Sequence, residues 1–91
     1  MAATSYKVAD VVVTGTPGSP QTIAYADLTD IDGAALPTEF VAAPVIFRSP
    51  QQDRNAYIVA KTVTNFQIAL SMAGIGPNSG TFDLIITGES V

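Results

Sequence analysis

The chain is dominated by side chains that are stiff at χ1 and suit a pleated sheet. It holds nine valines, eight isoleucines and ten threonines against only four leucines. β-Branched residues lose rotamer freedom in a helix and pack well between neighbouring strands, so this ratio selects strands. Seven glycines and six prolines punctuate the 91 residues. The cluster from Gly15 to Pro20 and the glycine-rich stretch from Met72 to Gly80 both read as loops.

Six strands are predicted between these breaks. The first runs from Tyr6 to Thr14 and the second from Gln21 to Ala26. The third, Val41 to Ser49, contains Pro44, which has no N–H to give a ladder; it must be an edge strand or carry a bulge there. The fourth is Asn55 to Val63. Thr64-Asn65 follows as a tight hairpin, with Asn65 supplying a positive φ. In the fifth, Phe66, Ile68 and Leu70 alternate with Gln67, Ala69 and Ser71. In the sixth, Thr81 to Gly88, Phe82, Leu84 and Ile86 alternate with Asp83, Ile85 and Thr87. Period-two alternation marks half-buried strands. The segment Asp27 to Phe40 lacks a clear period and is long for a connection. It is expected to open with a helical turn capped by Asp27 and to contact a partner. Short, evenly spaced strands give one all-β domain over residues 1–91, a small antiparallel β-sandwich or barrel of about six strands.

The chemistry available is sparse. There is no histidine and no cysteine, so imidazole bases, thiol nucleophiles, thiolate metal sites and disulfides are excluded. The acidic cluster Asp27, Asp30 and Asp32 resembles part of an EF-hand loop, but Leu28 stands at the first ligand position and no helices flank it. Metal binding, cofactors and catalysis are therefore not expected. The glycine-rich stretches lack the lysine and the strand–helix context of a phosphate loop. Arg48 and Arg54 flank Ser49 to Asp53, and pairing with Asp53 is expected. A net charge of −4 offers no nucleic-acid footprint and no polybasic membrane patch. No apolar run is long enough to span a bilayer, and the first seven residues lack the pattern of a signal peptide.

Hydrophobic residues make up 47% of the chain and charged residues only 13%, about half the usual share of roughly 25%. A domain this small has much surface per unit volume, so part of that surface must be apolar, which favours self-association. The expected contact residues are Val11, Val12 and Val13 in the first strand, Asp27, Leu28, Ile31, Leu36 and Phe40 in the long connection, and Ile85 on the outward side of the last strand.

The stretch from Asn55 to Gly88 resembles the C-terminal part of small virion proteins of tailed bacteriophages. The resemblance rests on Val63-Thr64-Asn65-Phe66-Gln67-Ile68, the Gly74 to Gly80 loop and Phe82-Asp83-Leu84-Ile85-Ile86-Thr87-Gly88. Capsid decoration (cement) proteins and H-type-lectin-like tail-fibre domains carry similar stretches; both are compact β-sandwiches and commonly trimers. The resemblance implies a structural virion protein on the capsid surface, made in the host cytoplasm, with itself and the major capsid protein as partners. The alternative it implies is a carbohydrate- or receptor-binding module of a tail fibre; such a module needs aromatic and polar residues clustered on one loop face, and Tyr57 and the Met72 to Gly80 loop are the only candidates for that in this sequence.

Overall fold

A computed structural model describes residues 3–16, 18–51, 55–71 and 79–91. Six antiparallel strands form two three-stranded sheets, so the expected all-β fold is borne out. The strands are β1 (Thr4–Val13), β2 (Gln21–Ala24), β3 (Val45–Pro50), β4 (Ala56–Lys61), β5 (Asn65–Leu70) and β6 (Gly80–Gly88). One sheet has the order β1-β6-β3, the other β2-β5-β4. The two strands with the cleanest alternation, β5 and β6, are the central strands. That follows from their sequence: a central strand needs a continuous apolar inner face.

The inner faces meet in one core. Val8, Val11 and Val13 of β1, Ile46 of β3 and Phe82, Leu84 and Ile86 of β6 pack against Phe66, Ile68 and Leu70 of β5 and Ala56 of β4. An aromatic group joins them: Tyr25 meets Phe40 edge to face at 5.0 Å and stacks on Phe66 at 5.5 Å, while Tyr6 meets Phe40 at 6.1 Å. Edge-to-face and offset pairs of this kind add to the area that the rings bury. Burial pushes the Tyr25 hydroxyl up to about 12, and that hydroxyl donates to the Thr62 carbonyl at 3.2 Å.

Three local expectations are corrected. A 3-10 turn does occur, but it spans Tyr25–Asp27 with Ala24 at its N-cap, so Asp27 ends the turn instead of capping it. The Tyr25 N–H donates to the Thr64 carbonyl and the Tyr25 ring enters the core, which fixes the turn three residues earlier. The β4–β5 hairpin does not use a left-handed Asn65. Asp10 and Gly33 are the only described residues with positive φ, and Asn65 begins β5. Instead the Thr62 hydroxyl accepts the N–H groups of Thr64 (3.2 Å) and Asn65 (3.0 Å), closing the turn with a side chain. Pro44 lies just before β3. The strand starts at Val45 instead of Val41, so Pro44 interrupts no ladder; β3 does sit at a sheet edge, and the proline it contains is Pro50.

Candidate functional site

Among the described residues, the outward side of the β1-β6-β3 sheet carries a group of exposed apolar side chains. Register fixes their neighbours: Ile85 pairs with Lys7 on one side and with Phe47 on the other, while Thr87 pairs with Ser5 and Val45. The Ile31 N–H donates to the Lys7 carbonyl at 2.9 Å, which docks the long connection against the outer edge of β1. Ile31 and Ile85 then share a shallow hollow of about 230 Å³ with Lys7, Val8, Ala9, Asp83 and Leu84. Phe47 is 60% exposed, Ile31 62%, Val45 50% and Ile85 41%. Three large apolar residues on one side of one small sheet, with Ile31 docked beside its edge, form a patch, whereas single exposed apolar residues are ordinary.

Of the expected contact residues, Val12, Ile31 and Ile85 are exposed and Leu28 is half-buried against the core. Val11, Val13, Leu36 and Phe40 are corrected: they lie in the core of the chain itself and are not available to a partner. The valine run is split by pleating, with Val11 and Val13 inward and only Val12 outward. The long connection has a packing task, because Leu36 and Phe40 help fill the core. Asp27 is exposed and lies outside the hollow. Sequence reasoning missed Phe47 and Val45. Their signal was present in the alternation of the third strand, but both faces of that strand are apolar, so the pattern alone could not say which face looks out.

A polar cluster interrupts the same outward face. β1 bulges between Val8 and Val11, placing Ala9 and Asp10 opposite Asp83, and Asp10 takes a φ of 61°. A positive φ in a residue other than glycine is uncommon, and aspartate is among the types that tolerate it. Here the Asp10 N–H donates to Asp83 Oδ1 at 3.2 Å. Gln51 Nε2 donates to Asp10 Oδ1 at 2.9 Å and to Asp83 Oδ1 at 2.6 Å. One amide therefore ties the end of β3 to the bulge of β1 across β6. The pair lies on a sheet surface, with Asp10 exposed and Asp83 half-buried, and one oxygen of each carboxylate is engaged in holding the strands.

The Asp27, Asp30 and Asp32 group is a turn. Asp30 Oδ1 accepts the N–H groups of Asp32 (2.9 Å) and Ala34 (3.0 Å), and Gly33 takes a φ of 90° within it. Among the described residues no three acidic side chains are placed to share a metal ion. Thermal melts in excess calcium and in chelator are expected to give the same midpoint. A calcium-dependent rise of many degrees would reveal a site, because an ion bound to the native state stabilises it by mass action.

Arg48 Nε donates to the Ala56 carbonyl at 2.8 Å, closing the seam between the edges of β3 and β4. Its expected partner Asp53, with Arg54, lies outside the described residues, as does most of the loop from Met72 to Gly80. Tyr57 is exposed on β4, in the other sheet. Among the described residues no helix is long and apolar enough to cross a membrane. No protein family, curated protein or solved structure matches the chain.

Proposed function

We propose that this protein is a structural component of a tailed-phage virion, a capsid decoration protein that assembles as a trimer on the outer surface of the shell and stabilises it. The observation that carries the reading is the outward face of β1-β6-β3, where Ile31, Val45, Phe47 and Ile85 are all exposed on a domain with little charge. Apolar surface of this kind is removed from water by a partner at roughly 25 cal/mol per Å². The partners in this reading are further copies of the chain and the major capsid protein. Nucleic acid and membrane play no part in it, and the work is mechanical, without catalysis or cofactor. A closed threefold arrangement suits the local threefold positions of an icosahedral shell. Val12, Asp27, Ile31 and Ile85 are the residues of the expected contact set that remain exposed. The resemblance of the Asn55 to Gly88 stretch to phage virion proteins supports the same reading.

The test is addition of the purified protein to undecorated, expanded capsids. Co-sedimentation at saturating stoichiometry, with a higher temperature of capsid disruption, is the expected result. Failure to bind capsids, together with binding to immobilised glycans, overturns it in favour of a tail-fibre module.

A further inference from the structure

The open edge of β3 is self-complementary. The Gln51 N–H donates to the Thr81 carbonyl at 3.0 Å, and Ser49, Phe47 and Val45 pair with Asp83, Ile85 and Thr87. In an antiparallel ladder, alternate residues aim both backbone groups at the same neighbour. Residues 45, 47 and 49 therefore bond to β6, while Ile46, Arg48 and Pro50 aim theirs away from the sheet. Among the described strands none pairs with that side. The edge thus presents two N–H donors, those of Ile46 and Arg48. Pro50 closes the series at one end and Pro44 precedes it at the other, and neither has an N–H to lose.

We propose that two copies of the chain pair through β3, antiparallel, about a two-fold axis at Phe47. Ile46 then faces Arg48 of the second copy, and each pair exchanges two hydrogen bonds, so all four donors are used. The prolines face each other where no donor is needed. Charge selects this register over its neighbours. A shift that centres the axis on Arg48 sets two guanidinium groups opposite one another, which is unfavourable. A shift to Ile46 sets Pro44, which has no N–H, opposite Arg48, and the Arg48 carbonyl is left without a donor. With the axis at Phe47, the sheet continues through both copies and the Phe47 rings meet beside Ile85, making one apolar face from two.

Area sets the strength. A six-residue strand is about 20 Å long, so the pairing covers on the order of 300 Å² per copy. A stable dimer covers about 800 Å² per partner. The contact is therefore weak in dilute solution and becomes effective where copies are held close together, since tethering supplies a high effective concentration. Neighbouring threefold positions on a shell are related by local two-folds, where such a pair belongs.

The chain has no cysteine, which makes disulfide trapping clean. In the proposed register the two Phe47 Cα atoms form a non-hydrogen-bonded pair about 4.5 Å apart, inside the disulfide range. The two Val45 positions are offset by four residues, about 13 Å along the strands, beyond that range. Both residues are exposed, so either cysteine leaves the core intact. Under oxidised glutathione at high protein concentration, Phe47→Cys should form covalent dimers about tenfold or more faster than Val45→Cys. Equal rates, or no dimer from Phe47→Cys, overturn the pairing and mean that Pro50 and Arg48 merely blunt the edge. The measurement needs no capsid. Capsid binding without cross-linking removes only this proposal, and cross-linking without capsid binding removes only the decoration role.

Discussion

Phe82→Ala is expected to destabilise the protein by about 3–5 kcal/mol, the range for removing a buried aromatic ring. Phe82 is fully buried on β6, the central strand of its sheet, opposite Val11 on β1 and Pro50 on β3. Neighbours on both sides hold the backbone in place, so the cavity cannot close by moving an edge. Domains of this size have total stabilities of about 5–15 kcal/mol, so the loss is a large share. At about 4–8 °C per kcal/mol the melting temperature falls steeply. Urea unfolding checks it: the midpoint should drop while the slope is retained. Ile85→Ala, three residues along the same strand, is the comparison. Ile85 points outward, so in the monomer its truncation removes little packing and should cost under about 1 kcal/mol. Equal losses at the two positions would contradict the assignment of inner and outer faces.

That contrast also shows how far the sequence can be read. In β5 and β6, polar residues fill every other position, or nearly so, and the alternation alone identifies Phe66, Ile68, Leu70, Phe82, Leu84 and Ile86 as core; all six are buried. The reading weakens wherever both faces of a strand are apolar. Val11-Val12-Val13 does not reveal its phase, because any of the three side chains suits either environment. The β1 bulge adds a further shift that no propensity announces. β3 has the same ambiguity, and so Phe47, the most prominent outward ring, was legible as a strand residue but not as a surface one. Tertiary context decided the Asp27 to Phe40 segment too. Leu36 and Phe40 have no periodicity to declare them, yet they complete the core, Phe40 through ring contacts with Tyr6 and Tyr25, which are distant from it in sequence. The Asp10–Asp83–Gln51 cluster was illegible for the same reason: its members are 73 and 32 residues apart along the chain and meet only because β1 and β3 flank β6.

Gly15→Ala is expected to be as damaging as the loss of a core ring, although it adds only one methyl group. Gly15 lies just beyond β1, where the chain leaves one sheet for the other. A Cβ built there overlaps the backbone nitrogen of Gln21 and the carbonyl oxygen of Ile68, and both are main-chain atoms of paired strands. A flexible side chain can move aside, but paired backbone cannot without lengthening its own hydrogen bonds. The crossing is tied on both sides: the Leu70 N–H donates to the Gly15 carbonyl at 2.9 Å, the Thr14 N–H to Gln21 Oε1 at 2.8 Å, and Gln21 Nε2 to the Val12 carbonyl at 3.3 Å. Overpacking typically costs about 1–3 kcal/mol, and a buried hydrogen bond left unmade adds about 1–3 kcal/mol. Together they give a loss of roughly 2–6 kcal/mol, read as a lower urea midpoint. Gly18 supplies the opposite case within the same turn region. A Cβ there meets nothing within 4 Å and its φ is not positive, so Gly18→Ala restricts the unfolded chain more than the native one. It should stabilise by about 0.4–1 kcal/mol. If Gly15→Ala unfolds at the same urea concentration as the parent, β1 has room at the crossing, and the tight approach of β1, β2 and β5 at this point is wrong.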